Sequence, residues 1–562
     1  MGRWSRALFV TLVLTLAVAC SPLAAGPELP RPAQPHAVPP PTTTVPAPTT
    51  STTVDEHTLL ARGCPTETCL LYSIAEEARW SDGVPVTADD FAATVAANQD
   101  PLASGRDPAY DRIAAVDAID AKTARVALSR PYGPWQGLFT RLVPSHADSL
   151  DVALMPVTGP FAFSQWVPGD RIVVERNPEW WSTTDPLTGM PSGTVERIEF
   201  VFVSDTEELL DLIEKGEVDV ATIRATDDIL ERLDNIGESV EYSVTPGPFW
   251  EHIDFHHEDE MLSQRWVREM FELAIDREAI LDETVRRLAP TAPPLNNSIW
   301  MTNSHMYESH FEDRFDPAAA EQLLIDNGCE RNGDLSTCDG RAMSFVWLST
   351  NDDPDRQTIF EMVSDDLEAI GVEIVPNLRA PSDFVTRDVL FGGPEGWQLA
   401  NFSWRADADT AIADATYRCG DSELNVNRYC SSQVESLVEK AATEMGLDAR
   451  AALLNEADRL YLSDRALIPL YQKPVISVWS AELAGPAANF GISTEMWNIA
   501  AWSGGTAVTV ALPSEPSALD PRSTGDESAN QVLATMLYGA FGMDPTLKYQ
   551  PVLVDSVELL ER

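Results

Sequence analysis

Beyond residue 57, short apolar runs of strand length alternate with longer segments in which apolar residues recur at helical spacing. Residues 171–175 and 197–203 have the first pattern, which is typical of β-strands. The second pattern predicts helices at residues 207–215, 266–280, 317–327 and 357–370, and Gly371 follows the last of these where a C-terminal cap is expected. This alternation predicts an α/β architecture.

The first twenty residues have the pattern of an export signal. Arg3 and Arg6 precede an apolar run at residues 7–19, and Cys20 follows a small residue. The sequence before Cys20 resembles a lipobox whose usual leucine is displaced to Leu16, so we expect Cys20 to be lipidated; ordinary cleavage of the signal is the alternative. No later segment has the ~18 uninterrupted apolar residues of a membrane span. Any membrane attachment is therefore expected at the N-terminus.

The signal is followed by a segment with nothing to form a core. Between residues 26 and 54, 20 of the 29 residues are Pro, Thr, Ala or Ser. This composition predicts an extended tether.

Composition narrows the classes of partner. A chain of 562 residues with 44% hydrophobic residues is long enough for two or more cores. A formal net charge of -49 repels phosphates, so nucleic acid is not an expected partner. The same charge favours cationic ligands by electrostatic steering, although solubility alone accounts for it equally well.

Six cysteines remain after Cys20, an even number that indicates disulfides in an exported chain. They fall in three close pairs, and short loops are the least costly to close. A zinc site is the rival interpretation, but no Cys-x-x-Cys spacing supports it. We therefore expect three local bonds, which join Cys64 to Cys69, Cys329 to Cys338, and Cys419 to Cys430.

Several phrases occur in a defined order along the chain. Residues 79–91 read Arg-Trp-Ser-Asp-Gly-Val-Pro-Val-Thr-Ala-Asp-Asp-Phe, which indicates a strand end, an Asp-Gly turn and a helix capped by Thr87. The other phrases lie at residues 158–161, 176–181, 216–221, 267–277 and 468–471, and the last of them reads Ile-Pro-Leu-Tyr. In this order the phrases resemble the solute-binding proteins of oligopeptide, dipeptide and nickel ABC importers.

The resemblance implies a two-lobed, periplasmic-binding-protein-like α/β fold of the large type II, peptide-binding class, with an extra small subdomain. It implies a ligand held between two closing lobes, ABC transporter permease subunits as partners, no cofactor and no catalytic activity. We expect an exported, lipid-anchored monomer on the outer face of the cytoplasmic membrane that binds oligopeptide or dipeptide-like ligands. A binding protein for another solute, an oligosaccharide or a nickel chelate, is one alternative. An exported hydrolase is another, although no Gly-x-Ser-x-Gly, His-Glu-x-x-His or phosphate-loop motif occurs.

The resemblance also indicates candidate ligand contacts. Asp407 matches the acid that pairs with a ligand's α-ammonium in the family, and a charge buried by closure needs a charged partner. Trp404 either walls the pocket or fills the core. Arg387 falls near the arginine that dipeptide-binding relatives use for a ligand carboxylate, the alternative being a surface arginine. Phe249 and Trp250 are similar to an aromatic position that lines the family's cleft, or are structural.

Three histidines, His252, His256 and His257, suggest a metal site because the family includes nickel binders. On a strand, His252 and His256 share one face and His257 points away, so three convergent ligands are not expected. We predict no metal site.

The order of the phrases departs from that of the family. Trp-Ser-Asp-Gly stands soon after the tether, the usual ending appears at residues 496–502, and residues 504–521 resemble the family's opening. We therefore expect a circular permutation, with Ser503-Gly504-Gly505 as a flexible joint between the old termini. The alternative is a remnant of tandem duplication, in which residues 504–562 are a dispensable tail.

The permutation predicts that residues 506–512 form a strand in the first lobe's sheet and that residues 552–560 pair near residues 70–74. The predicted organisation of the whole chain comprises a signal peptide (1–19), a lipid-anchored tether (20–56), a small subdomain of lobe 1 (57–157), lobe 1 (158–247), lobe 2 (248–474), the completion of lobe 1 by the permuted family N-terminus (475–550) and a strand of the small subdomain (551–562).

Overall fold

The structure is a computed structural model, and it describes residues 63–101, 106–406, 413–420, 422, 424–489, 494–522 and 525–561. The chain divides into two compact units, Met1–Val54 and Asp55–Arg562, and every described residue lies in the second. The expected signal peptide, Cys20 and tether thus lie outside the described residues. Within the described ranges, no helix is long and apolar enough to cross a membrane.

The strands are numbered in chain order. They are β1 (Thr68–Ile74), β2 (Ile113–Asp120), β3 (Thr123–Leu128), β4 (Phe161–Val167), β5 (Arg171–Arg176), β6 (Arg197–Phe202), β7 (Val220–Arg224), β8 (Val240–Phe255), β9 (Glu330–Asn332), β10 (Leu335–Cys338), β11 (Arg341–Ala342), β12 (Ser344–Thr350), β13 (Glu373–Arg379), β14 (Leu399–Arg405), β15 (Leu467–Ser480), β16 (Ala507–Leu512), β17 (Phe541–Met543), β18 (Tyr549–Pro551) and β19 (Val554–Glu561).

The α-helices are α1 (Ala88–Gln99), α2 (Thr206–Glu214), α3 (Asp227–Ile236), α4 (Arg265–Ala274), α5 (Arg277–Glu283), α6 (Val285–Leu288), α7 (Pro317–Asp326), α8 (Pro354–Ala369), α9 (Pro381–Phe384), α10 (Arg387–Leu390), α11 (Ala413–Tyr417), α12 (Ser432–Ala441), α13 (Leu447–Ser463) and α14 (Glu527–Met536). Short 3-10 helices lie at Pro108–Arg112, Trp135–Gly137, Gly237–Ser239 and Thr494–Ala501.

Ten strands form one central sheet in the order β13-β12-β14-β8-β15-β7-β16-β6-β5-β4. Its two ends belong to different hydrophobic cores. Residues from Trp250 to Tyr471 form the core at the β13 end, and residues 152–220 and 483–537 form the core at the β4 end. We call the part around the first core lobe 2 and the part around the second core lobe 1. The predicted α/β, two-lobed architecture is confirmed.

A smaller sheet, β19-β1-β3-β2, has its own core with α1. The Trp-Ser-Asp-Gly phrase belongs here. The buried carboxylate of Asp90 accepts hydrogen bonds from Trp80 Nε1 at 3.1 Å, from the Thr87 amide at 2.8 Å and from the Ser145 amide at 2.7 Å. The hydrogen-bonding groups of this phrase thus have partners within the chain and need no ligand. The phrase therefore has a structural role.

The helix predicted at residues 266–280 is two helices, which corrects the sequence analysis. Helix α4 ends at Ala274, and Ile275 is extended at φ -90° and ψ 121°. Asp276 then caps α5, because its carboxylate accepts a hydrogen bond from the Ala279 amide. An apolar repeat continues across this break, which is why the spacing alone did not reveal it. The other three predicted helices are present with their ends shifted by one to three residues.

The segment from residue 504 to the end of β19 contributes strands to the central sheet and to the smaller sheet. Strand β16 runs parallel to β6, with Val510 opposite Phe200, and also contacts β7. Strand β19 is antiparallel to β1, with Leu559 opposite Leu70. Both strand positions predicted for this segment are confirmed.

The joint at residues 503–505 is tighter than the flexible linker that we expected. Ser503 and Ala484 exchange two backbone hydrogen bonds of 2.8 and 2.9 Å. Gly504 has φ +107°, and a Cβ there would stand 1.9 Å from the Glu482 carbonyl oxygen. Only glycine fits this approach, so the joint is part of the fold.

The three expected disulfides are present, and they join Cys64 to Cys69, Cys329 to Cys338, and Cys419 to Cys430. Each bond closes a short loop within one part of the chain. They therefore stabilise local structure and do not tie the lobes together.

Strands β8 and β15 run through both lobes and pair along most of their length, from Val240 opposite Ser480 to Asp254 opposite Leu467. Their register shifts twice, between Pro469 and Tyr471 and again between Gln472 and Pro474. At the same level, a Cβ on Gly247 would approach the Lys473 carbonyl oxygen to 2.9 Å. Bulges with glycine and proline re-aim strands, so this is the point where the pair bends from one lobe into the other.

A buried acid stands beside this bend. Glu251 on β8 is fully buried and accepts hydrogen bonds from Arg356 at 2.8 Å, Ser403 at 2.5 Å, Asn401 at 3.1 Å and Lys473 at 3.2 Å. Burial alone would raise the pKa of Glu251, but Lys473 and Arg356 outweigh it and lower the pKa to about 2. The carboxylate is therefore charged and joins β8, β14, β15 and α8.

The same network reaches lobe 1. Lys473 also donates to Asp353 at 2.6 Å, and the other oxygen of Asp353 pairs with Arg224, at the end of β7, at 2.7 Å. A second contact between lobes lies nearby, where Arg287 is 3.6 Å from Asp227. The charges at the bend thus connect the two lobes.

We predict that Glu251→Gln lowers the free energy of unfolding by about 3 kcal/mol or more, because it removes the closest anion of Arg356 and one of the two anions of Lys473, whose side chains are 12% and 16% exposed. Urea denaturation measures this loss. Glu456→Gln is the matched control: Glu456 also pairs with an arginine, Arg459, at 2.6 Å, but both side chains are about half exposed, and surface pairs are worth about 1 kcal/mol or less. Equal losses in the two variants would contradict the role of the buried network.

Candidate functional site

Two of the predicted contacts meet in lobe 2. Trp250 on β8 lies directly opposite Trp404 on β14, and both side chains line a cavity of about 700 Å³ that includes space open to solvent. We call it the tryptophan cavity. Its other lining residues are Asp254, Ser298, Ile299, Met301, Arg405, Ala406, Ala413, Thr416, Tyr417, Leu424, Asn425, Val426, Asn427, Tyr461 and Leu467. All of these residues belong to lobe 2.

One face of the sheet builds the aromatic wall. Side chains alternate along a strand, so Trp250 and His252 share a face, and Phe402 and Trp404 share it on the neighbouring strand. The rings pack closely, with centroids 4.6 Å apart for Trp250 and His252, and 5.3 Å apart for Phe402 and Trp404. Trp250 is buried, whereas Trp404 is half-buried. Trp404 therefore stands nearer to the mouth of the cavity.

Asp254 lies on the same face of β8 and is 2% exposed. Its carboxylate accepts a hydrogen bond from Asn427 Nδ2 at 3.0 Å and lies 3.3 Å from His252 Nε2. The Asn427 amide in turn lies 2.8 Å from the Tyr461 hydroxyl. The inner end of the cavity is thus polar and acidic.

A second hydrogen-bonded group holds the wall formed by Ser298 and Tyr417. The Ser298 hydroxyl and amide both donate to Asp458, and the Tyr417 hydroxyl lies 2.9 Å from the Ser298 hydroxyl. His310 lies 2.7 Å from the other oxygen of Asp458. Burial alone would lower the pKa of His310, but Asp458 raises it above the usual value. These side chains are engaged with one another, so they position the wall.

The remaining predicted contacts do not come together with the two tryptophans. Phe249 precedes Trp250, so it points to the opposite face of β8, where it is 42% exposed. Arg387 is exposed on α10 and does not line the tryptophan cavity. Asp407 lies outside the described residues, directly after Ala406 at the rim.

The three histidines face different partners. The Nε2 atom of His256 lies 3.1 Å from the Gly392 carbonyl oxygen, and that of His257 lies 3.0 Å from the Ala466 carbonyl oxygen. Burial lowers the pKa of His257 to about 3, so this imidazole is neutral at physiological pH. Within the described residues, no group of three or more His, Cys, Asp or Glu side chains is arranged to hold a metal ion.

Sequence reasoning missed Asp254, Arg405 and Asn425 as lining residues. The signal for Asp254 was its position four residues after Trp250 on a strand, which puts both side chains on one face. Asn425 had no such signal, because its place depends on the turn after α11 and not on any periodic pattern.

Lobe 2 contacts the β17–β18 hairpin close to this cavity. Met301 lines the cavity, and Asn303, two residues further, donates to the Pro545 carbonyl oxygen at 3.0 Å. The His305 amide donates to the Thr546 carbonyl oxygen at 3.0 Å. Because Phe541 of this hairpin belongs to the core of the smaller sheet, the tryptophan cavity lies at the side of lobe 2 that faces that sheet.

Comparison with known proteins agrees with this architecture. Residues 67–420 match the family model described as bacterial extracellular solute-binding proteins, family 5 Middle. The oligopeptide-binding protein OppA of Mycobacterium tuberculosis (strain H37Rv) is 26% identical over 468 residues, which cover 78% of this chain and 75% of that protein.

Two solved structures share the fold. The periplasmic EDTA-binding protein EppA has a TM-score of 0.65 at 22% identity, covering 77% of this chain and 84% of that one. The oligopeptide-binding protein AppA of Bacillus subtilis, solved with a nonapeptide, has a TM-score of 0.53 at 15% identity, covering 78% and 87%. Since the family model spans more than half of the 562 residues, the chain belongs to the bacterial extracellular solute-binding proteins of family 5, whose members bind solutes and are not enzymes.

Proposed function

We propose that this chain binds peptide-like ligands between its two lobes and presents them to the permease subunits of an ABC importer. The observation that carries the proposal is the tryptophan cavity, which lies beside the bend through which β8 and β15 continue from lobe 2 into lobe 1. Ligand pockets of this kind combine apolar and aromatic walls with a few polar groups. The oligopeptide-binding names of its relatives support the same class of ligand.

Asp407 is the proposed partner of the ligand's α-ammonium. It follows the rim residues Trp404, Arg405 and Ala406 in sequence, and a charge enclosed by closure of the lobes needs an opposite charge. Arg387 and Phe249 remain candidates for ligand contacts outside the tryptophan cavity.

We predict that Asp407→Asn weakens peptide binding by more than about tenfold without lowering the melting temperature, because loss of one partner of an enclosed pair typically costs about 2 to 5 kcal/mol. Mass spectrometry of the ligand that co-purifies with the protein supplies a peptide, and calorimetric titration of that peptide measures the change. Asp388→Asn, an exposed acid on α10, is the control and should leave the affinity unchanged. An unaltered dissociation constant in Asp407→Asn removes Asp407 from the site, and a co-purified ligand that is no peptide contradicts the proposed function.

Attachment to the membrane is assigned to Cys20. Its position after an export-signal pattern and before a Pro/Thr-rich segment is that of a lipid-modified first residue followed by a tether. We predict that Cys20→Ala releases the protein from the membrane fraction into the soluble exported fraction, as measured by detergent partitioning. Retention of the variant in the membrane would contradict a lipid anchor on this residue.

We also infer that the chain is a circularly permuted form of its family. The pairing of β19 with β1 supports this inference: Glu561 lies opposite Thr68 in an antiparallel pair. An unbroken chain would join these strands as a hairpin. The position of β16 between β6 and β7 argues against a dispensable tail.

We predict that a protein ending at Ser503 loses the cooperative melting transition, because it lacks strand β16 of the central sheet and β19, one of the two partners of β1. A transposed gene that places residues 504–562 ahead of residue 63 should restore the transition, since the hairpin would be covalently closed. Circular dichroism on heating measures both proteins. An undiminished transition in the truncated protein would show that the segment is a tail and would sink the permutation.

A further inference from the structure

We propose that the tryptophan cavity binds a basic side chain of the ligand, with its cationic group held by Asp254 and Asn425. This inference rests on the proposed peptide-binding function and adds to it a preference for peptides that contain lysine or arginine. Three independent features of the cavity carry it: an acid without a strong cation, an amide oxygen without a donor, and apolar walls.

The acid is Asp254. Its partners are the neutral amide of Asn427 and the imidazole of His252, and no Lys or Arg among the described residues forms an ion pair with it. The buried acids Glu251 and Glu272 differ, since arginine lies 2.8 Å from the first and 2.6 Å from the second.

Among the described residues Asp90 also has no cation, but it accepts three hydrogen bonds from neutral donors, whereas Asp254 has only the bond from Asn427 and the contact with His252. An enclosed carboxylate with so few partners is unfavourable. Asp254 is therefore complementary to a cationic ligand group that reaches the inner end of the cavity.

The amide is Asn425, which lines the same cavity and is 2% exposed. Its Nδ2 donates to the carbonyl oxygens of Arg418 at 2.9 Å and Tyr429 at 2.8 Å, and these two acceptors fix the orientation of the amide. Its Oδ1 is buried and has no donor among the described residues. An ammonium carries three N–H donors and a guanidinium five. A cationic side chain therefore supplies what both Asp254 and Asn425 lack.

The walls fit the stem of such a side chain. Trp250, Ile299, Met301 and Leu467 are buried apolar lining residues. Methylene stems of lysine and arginine pack on apolar surface, and tryptophan faces attract cations. A ligand's α-ammonium has no stem of this length. The cavity thus favours a side chain over the chain terminus.

The lining side chains become more buried from the rim of the cavity to its inner end, where Asp254 lies. Arg405 at the rim is exposed, Trp404 is half-buried and Asp254 is almost fully buried. The cation of Arg405 is therefore screened by solvent, whereas the charge of Asp254 acts in an enclosed space. The net charge of -49 adds a long-range attraction for cationic peptides.

The experiment compares alanine pentapeptides that carry lysine or norleucine at each position in turn. Norleucine keeps the four-carbon stem of lysine and removes the ammonium group. Calorimetry on the full-length protein should show, for at least one position, lysine peptides binding at least about tenfold more tightly than their norleucine counterparts. In Asp254→Asn this preference should fall to near unity, while the norleucine peptides keep their affinity. Asp365→Asn removes an exposed acid of α8 and should keep the preference.

The outcomes separate this inference from the proposed function. Lysine and norleucine peptides that bind equally well overturn the cationic subsite and leave peptide binding in place. A lysine preference that survives in Asp254→Asn also overturns it, because the lysine ammonium is then bound by a residue other than Asp254. If N-acetylation abolishes the affinity and lysine has no effect, the ligand's cation is its terminus. If no peptide of either series binds, both the subsite and the proposed function are wrong.

Discussion

The buried carboxylate of Glu251 is the interaction on which the geometry of lobe 2 depends. Moving a carboxylate out of water is costly, and the structure offsets this with cations and hydrogen bonds from β14, β15 and α8. Since four donors from three elements converge on one enclosed carboxylate, these elements are held in one arrangement. Trp250 directly precedes Glu251 and Trp404 directly follows Ser403, so the network also fixes the two tryptophans on the opposite face.

This network lies where the two lobes meet. Asp353 is shared between Lys473 of the crossing strand β15 and Arg224 of lobe 1. Burial alone would raise the pKa of Asp353, but Lys473 and Arg224 lower it, so the group stays charged. The Arg224 side chain is 51% exposed, which makes its pair with Asp353 weaker than the enclosed pair of Glu251. The enclosed contacts of Glu251 therefore hold lobe 2 together, and the more exposed pair of Asp353 and Arg224 joins it to lobe 1.

Local sequence patterns predicted much of the fold. They failed where the structure depends on a single capping side chain or on contacts between residues that are far apart in the sequence. The helices at residues 317–327 and 357–370 and the three disulfides follow from spacing within a short stretch. The break at Ile275 was missed because the side chain of Asp276 starts a new helix inside a continuous apolar repeat. Of the site, sequence reasoning found Trp250 and Trp404, and it paired neither with the other. Glu251 could not be assigned partners, since Arg356 and Lys473 lie 105 and 222 residues further along the chain.

The alternation of side chains along β8 explains how one strand serves both stability and binding. Glu251 points to the face that carries the charge network, whereas Trp250, His252 and Asp254 point to the face of the tryptophan cavity. A change on the cavity face therefore alters the solute that fits while the charges that hold β14 and β15 stay in place. A change on the other face acts through those charges on the whole lobe. A scaffold divided in this way can acquire an acid such as Asp254 without losing the bend that lets its lobes meet.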